Sequence, residues 1–155
     1  MENLRQALRL LQQKGASLRR CSSVYRTEPW GIEEQDVFLN LVCEVAWSGS
    51  PEALLDLALQ TENQMGRVRQ VKWGPRLIDV DLIDVHRRPM AAPRLTLPHP
   101  YYRERDFVLV PLAELEPEWH SAEGQPIQSL IEALGDTGIT VAAPPFTPES
   151  LTPQN

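Results

Sequence analysis

From Leu77 to Leu82 the chain reads Leu-Ile-Asp-Val-Asp-Leu. In an extended backbone successive side chains point to opposite faces, so this alternation places Ile78, Val80 and Leu82 on one side and Asp79 and Asp81 on the other. The pattern predicts a strand over residues 77–85 that lies on a core and turns its carboxylates outward. Two carboxylates so close repel one another and call for a counter-charge. Hard oxygen donors suit magnesium, which is commonly held by one or two carboxylates together with substrate phosphates. A solvated acidic face gives the same local pattern, so the residues around it carry the decision.

Those residues are basic. The chain has 15 Lys and Arg against 21 Asp and Glu, a net charge of −6. Residues 67–105 reverse the balance, with nine basic residues against four acidic ones. A basic island in an acidic chain argues against general nucleic-acid binding, which uses a broadly basic surface, and for a compact polyanion such as a nucleoside triphosphate. Directly upstream of the aspartates stand Gly66-Arg67-Val68-Arg69 and Lys72-Trp73-Gly74-Pro75-Arg76. Arginines neutralise phosphate oxygens, and an indole offers a face to a base or a cation. Phosphoryl-type transfer is catalysed mainly by positioning and charge stabilisation, so a carboxylate pair with arginine clamps is a sufficient kit. No GxxxxGK[ST] loop and no glycine-rich kinase loop is present, which excludes those two nucleotide-binding designs.

The rest of the pattern predicts an α+β chain. Leu4, Leu8 and Leu11 mark an amphipathic first helix ending near Gly15. Residues 17–27 and 37–47 read as strands able to pair across a loop at 28–36. Ser50-Pro51-Glu52 starts a helix whose apolar face is Leu54, Leu55, Ala58 and Leu59 and which stops at Gly66. Helices are expected over 107–115 and 126–134, and a short strand over 138–142. A single domain over residues 1–142 and a loose Pro-rich tail over 143–155 follow. Cys21 and Cys43 match no metal-binding spacing and read as reduced thiols of a cytoplasmic chain. No run of about 18 apolar residues and no signal-peptide core stands in the sequence, so no membrane partner is expected.

Several ordered motifs resemble the 6-hydroxymethyl-7,8-dihydropterin pyrophosphokinase family. They are Tyr25-Arg26-Thr27, Phe38-Leu39-Asn40, Gly66 to Arg69, Trp73 to Leu82, Leu95-Thr96-Leu97-Pro98-His99-Pro100, Glu104-Arg105, and the run from Phe107 to Glu114. The resemblance implies a ferredoxin-like antiparallel sheet with packed helices. It also implies transfer of diphosphate from ATP to the reduced pterin, giving AMP and the pterin diphosphate in folate biosynthesis. It assigns two Mg2+ ions to Asp79 and Asp81, and transfer-stabilising roles to Arg67, Arg69 and Arg76. The ATP side would comprise Glu62, Trp73, Arg94, Thr96, His99 and Arg105. The pterin side would comprise Thr27, Trp30, Phe38, Asn40 and Phe107. Read without the resemblance, Phe107 is a core residue, His99 is equally a turn residue or a ligand contact, and Asn40 is an amide that needs a polar partner.

Two departures from the family pattern stand out. The chain opens in its first helix, without the family's initial apolar strand and Gly-Ser-Asn turn. That predicts unpaired strand edges open to self-association, and it leaves a truncated, non-catalytic pterin- or nucleotide-binding protein as the alternative. The stretch between Arg69 and Trp73 is also one residue short, with Lys72 where an arginine is common, which weakens the phosphate grip.

Overall fold

The first helix, α1 (Glu2–Gln13), forms because its apolar residues repeat at helical spacing. Ala7, Leu8, Leu10 and Leu11 are all buried, and Glu2 complements the positive end of the helix dipole. Gly15 closes the helix with φ 105°, a backbone region where a Cβ would be strained. The structure, a computed structural model, describes residues 1–27, 37–66 and 77–152. The chain divides into two units: Met1–Leu18, Val45–Pro100 and Pro148–Asn155 form one, and Arg19–Glu44 with Tyr101–Thr147 form the other.

In the first unit α1 packs against α2 (Pro51–Gly66). The Ser50 hydroxyl accepts from the Ala53 N–H at 3.1 Å, so the expected cap is made. The buried face of α2 is Leu54, Leu57, Ala58, Thr61 and Met65. Leu59, expected on that face, is exposed because it falls a quarter-turn off this stripe. The core gathers Leu11, Ala16, Leu54, Leu57, Val85, Leu95 and Leu97. A hairpin that sequence reading did not anticipate follows, in which β5 (Met90–Ala91) pairs antiparallel with β6 (Thr96–Leu97). Leu95 and Leu97 are buried while Thr96 between them is exposed.

The strand expected over 77–85 is not formed: residues 78–84 belong to no ladder. The reason lies in where the backbone groups find partners. Leu77 O accepts from Asn3 Nδ2 at 3.3 Å, Val80 N–H donates to Glu62 Oε1 at 2.9 Å, and Ile83 O accepts from His99 N–H at 2.8 Å. Side chains and one loop amide thus meet the hydrogen-bonding demand that a neighbouring strand would otherwise meet. The alternation survives. Val80 and Leu82 pack on the core and Ile78 on Ala7, Leu10 and Met65, while Asp79 and Asp81 are exposed.

In the second unit the run expected to be one strand over 17–27 is two, β1 (Ser17–Cys21), which begins in the first unit, and β2 (Val24–Thr27). The break falls where side chains take over from the ladder. Ser22 Oγ accepts from Val42 N–H at 3.0 Å, and Ser23 N–H donates to Glu114 Oε2 at 2.8 Å. The run over 37–47 divides opposite it into β3 (Phe38–Asn40) and β4 (Cys43–Ala46). β1 pairs with β4, and β2 lies between β3 and β7 (Thr140–Ala143) in a three-stranded antiparallel sheet. α3 (Asp106–Leu115) packs on β2 and on α4 (Ile127–Leu134). Helices on antiparallel strands give the expected α+β class.

Part of the segment expected to form a loose tail is anchored instead. Phe146 and Leu151 are both buried, and Leu151 O accepts from Arg9 Nε at 2.8 Å. No helix among the described residues is long and apolar enough to cross a membrane.

Candidate functional site

Of the expected site residues that the structure describes, six lie in the first unit: Glu62, Asp79, Asp81, Arg94, Thr96 and His99. The last two turns of α2 present Glu62, whose carboxylate seizes the backbone of Val80 between the two aspartates. The contact from His99 N–H to Ile83 O ties the turn after β6 to the residues directly following Asp81. The acidic segment is therefore held at its start, middle and end, with the partly buried Ile78, Val80 and Leu82 packed against the core. Asp79 and Asp81 are left on the outer face. Thr96 is exposed on β6 and His99 is half-buried beside it. Arg94 is exposed and its guanidinium is ion-paired with Asp56 of α2, a contact that raises its pKa. Further along, Asp84 is pushed up by burial, with Arg87 at 4.0 Å as partial compensation.

The fit of this face to magnesium can be judged from its donors. Among the described residues no group of three or more His, Cys, Asp and Glu could hold a metal. A closed all-protein cage is thus not what the described residues offer. Two exposed carboxylates, two residues apart on a braced segment, are chemically suited to an ion that brings its own phosphate and water ligands.

The second unit holds Thr27, Phe38, Asn40, Arg105 and Phe107. The β2–β3 register opposes Thr27 to Phe38 and Tyr25 to Asn40. Period-two alternation then places Thr27, Phe38 and Asn40 on one sheet face. Phe38 is 60% exposed, an aromatic ring left uncovered. The Thr27 hydroxyl oxygen is buried without a hydrogen-bond partner among the described residues, which is costly unless something polar meets it. Phe107 is partly buried. Its ring lies under the Arg105 guanidinium at 5.6 Å, and Tyr101 lies on that guanidinium at 5.8 Å. Asp106 Oδ1 accepts from Phe107 N–H at 2.7 Å and fixes the start of α3.

Trp30, Arg67, Arg69, Trp73 and Arg76 fall outside the described residues. Two contacts escaped sequence reading. Tyr101 lies on the Arg105 guanidinium. Glu62, expected as a nucleotide contact, reaches the Val80 backbone between Asp79 and Asp81. The Glu62 contact has no sequence signal, because a side-chain-to-backbone bond over 18 positions depends on tertiary placement, whereas Tyr101 and Arg105 stand only four residues apart.

An α+β chain with an outward acidic pair in one unit, and an exposed aromatic with polar neighbours in the other, has the makings of a protein that handles phosphates and a flat heterocycle. The family model for 7,8-dihydro-6-hydroxymethylpterin-pyrophosphokinase matches residues 1–117, and the chain belongs to this family. It is 46% identical over 125 residues to the 2-amino-4-hydroxy-6-hydroxymethyldihydropteridine pyrophosphokinase of Bacillus subtilis, covering 77% of this chain and 75% of that protein. The enzyme of the same name from Synechocystis is 40% identical over 146 residues, or 93% of this chain and 74% of that one. A folic acid synthesis protein of Dictyostelium discoideum is 38% identical over 107 residues, which are 69% of this chain and 16% of that much longer protein.

Proposed function

We propose that the chain transfers diphosphate from ATP to 6-hydroxymethyl-7,8-dihydropterin in folate biosynthesis, with Mg2+ as the metal. The single structural observation that carries this is the outward pair Asp79 and Asp81, braced at three backbone points and seated on the core. Bound there, two Mg2+ ions would draw charge from the phosphate oxygens. Asp79 and Asp81 hold the metal side. Arg94, Thr96, His99 and Arg105 receive the nucleotide, while Thr27, Phe38, Asn40 and Phe107, with Trp30, receive the pterin. An amide offers both a donor and an acceptor to a pterin edge, and an aromatic ring stacks on its face. Arg67, Arg69 and Arg76, with Trp73, would neutralise the charge that develops on the transferring group. The pterin hydroxymethyl oxygen bonds to the β-phosphorus, the bridge to the α-phosphate breaks, the hydroxyl proton is released, and AMP leaves.

A cytoplasmic setting belongs to the same reading, in keeping with Cys21 and Cys43 being free thiols. The non-catalytic alternative is disfavoured by the family match together with an intact acidic pair.

The test is AMP release from the full chain with ATP, Mg2+ and the pterin, with a control lacking pterin. Pterin-dependent AMP supports the proposal. A folded chain that releases none contradicts it. Asp81→Ala should abolish turnover with little change in melting temperature, because the side chain is exposed. Near-normal turnover in that variant would remove the metal assignment.

A further inference from the structure

Val80 is fixed at two independent points. Its side chain packs on the core around Leu54 and Leu97, and its N–H donates to Glu62 Oε1 at 2.9 Å. Its neighbours on either side are the two exposed aspartates. A chain outside a ladder keeps its conformation only where local contacts impose it. Here the contact from α2 reaches the peptide joining Asp79 to Val80, so it sets the direction in which both carboxylates leave the backbone. A glutamate beside two aspartates is electrostatically unfavourable, so its place there calls for a compensating contact. Donation from a backbone amide to an ionised acceptor is among the stronger hydrogen bonds.

We infer that Glu62 is a positioning residue for the acidic pair: through the Val80 amide it holds Asp79 and Asp81 in the mutual orientation that receives a divalent cation with the nucleotide. The inference rests on the proposed pyrophosphokinase reading and deepens it. It moves Glu62 from a nucleotide contact to a brace behind the metal side.

The experiment compares the wild-type chain with E62Q and E62A in two measurements. One is Mn2+ binding by electron paramagnetic resonance in the presence of α,β-methylene-ATP. The other is hydrogen exchange of the Val80 amide in the free protein. Glutamine keeps a carbonyl acceptor at the same reach, whereas alanine removes it. Loss of a contact that orients a metal ligand typically weakens metal affinity about 10- to 100-fold. E62A is therefore expected to bind Mn2+ at least about 10-fold more weakly and to lose Val80 protection, while E62Q stays within about 3-fold and keeps most of the protection. Should E62A not fold, E62D replaces it. Its shorter side chain draws the acceptor back, and it should fall between wild type and a full loss.

An E62A chain with wild-type Mn2+ affinity overturns the role of Glu62, as does equal weakening in E62Q and E62A, or a Val80 amide that exchanges freely in the wild type. A wild-type chain that binds no Mn2+ with the nucleotide overturns the metal reading itself. The Val80 exchange then still reports whether the brace exists.

Discussion

The guanidinium of Arg105 lies 5.6 Å over the ring of Phe107, joining a residue expected on the nucleotide side to one expected on the pterin side. If both assignments hold, the two ligands are energetically linked through this stack. Phe107→Ala should weaken pterin binding by about 10-fold through lost stacking. It should also weaken binding of an ATP analogue by about 2- to 5-fold, because a partly exposed cation–π contact stabilises by roughly 0.5–1 kcal/mol. Calorimetric titration of each ligand alone measures both. Unchanged analogue affinity would separate Arg105 from Phe107 in function.

Arg94 is expected to bind nucleotide, yet its guanidinium is paired with Asp56. Asp56 therefore competes with the nucleotide for the same cation. Asp56→Asn should tighten binding of α,β-methylene-ATP a few-fold, and Arg94→Ala should weaken it by about 10-fold. Melting temperature should move by no more than about 2 °C in either variant, since exposed ion pairs contribute little to stability. Equal affinity in wild type and both variants would remove Arg94 from the nucleotide side.

Much of this was legible in the chain itself, and particular residues show why. The helices carry their own signals, such as the 3.6-residue apolar stripe of α1 and the Ser50 cap of α2. The outward turn of Asp79 and Asp81 was legible because alternation survives in any extended backbone. Whether residues 77–85 form a ladder was not, since that depends on what the backbone meets. Asn3, Glu62 and His99 supply those partners from 74, 18 and 16 positions away, distances at which sequence spacing carries no information. The breaks at Ser22 and Val42 have the same origin, in a hydroxyl and in the Glu114 carboxylate. Phe146 and Leu151 looked like tail residues because prolines surround them. Prolines end regular structure but do not stop side chains from burying.

Cys21 and Cys43 are in hydrogen-bond contact, which pushes the Cys21 thiol up and holds the Cys43 thiol down. Cys21 is also buried, whereas Cys43 is partly exposed. Thiolate is the reactive form, so alkylation of the native chain should label Cys43 first and Cys21 only on unfolding. Peptide mapping after timed iodoacetamide treatment, with and without urea, checks the order. Equal labelling under native conditions would show that the strand pair opens readily.

Tyr25 donates its hydroxyl proton to Glu114 Oε1 at 2.5 Å, while Ser23 N–H binds the other oxygen of the same carboxylate. Burial, then the Glu114 contact, pushes the Tyr25 phenol from its ordinary 10 up to about 12. The folded chain thus holds this proton more tightly than the unfolded chain does. The stability it contributes is complete below about pH 10 and is lost as pH rises toward 12. At neutral pH, Tyr25→Phe should cost about 1–2 kcal/mol, because the bond it deletes ends on an ionised acceptor. Urea unfolding of wild type and variant at intervals from pH 7 to 12 isolates this contribution from the other groups that titrate there. The two stabilities should converge between pH 10 and 12. A constant gap across that range would mean that packing of the ring, rather than the proton shared with Glu114, is what Tyr25 contributes to the junction of β2 and α3.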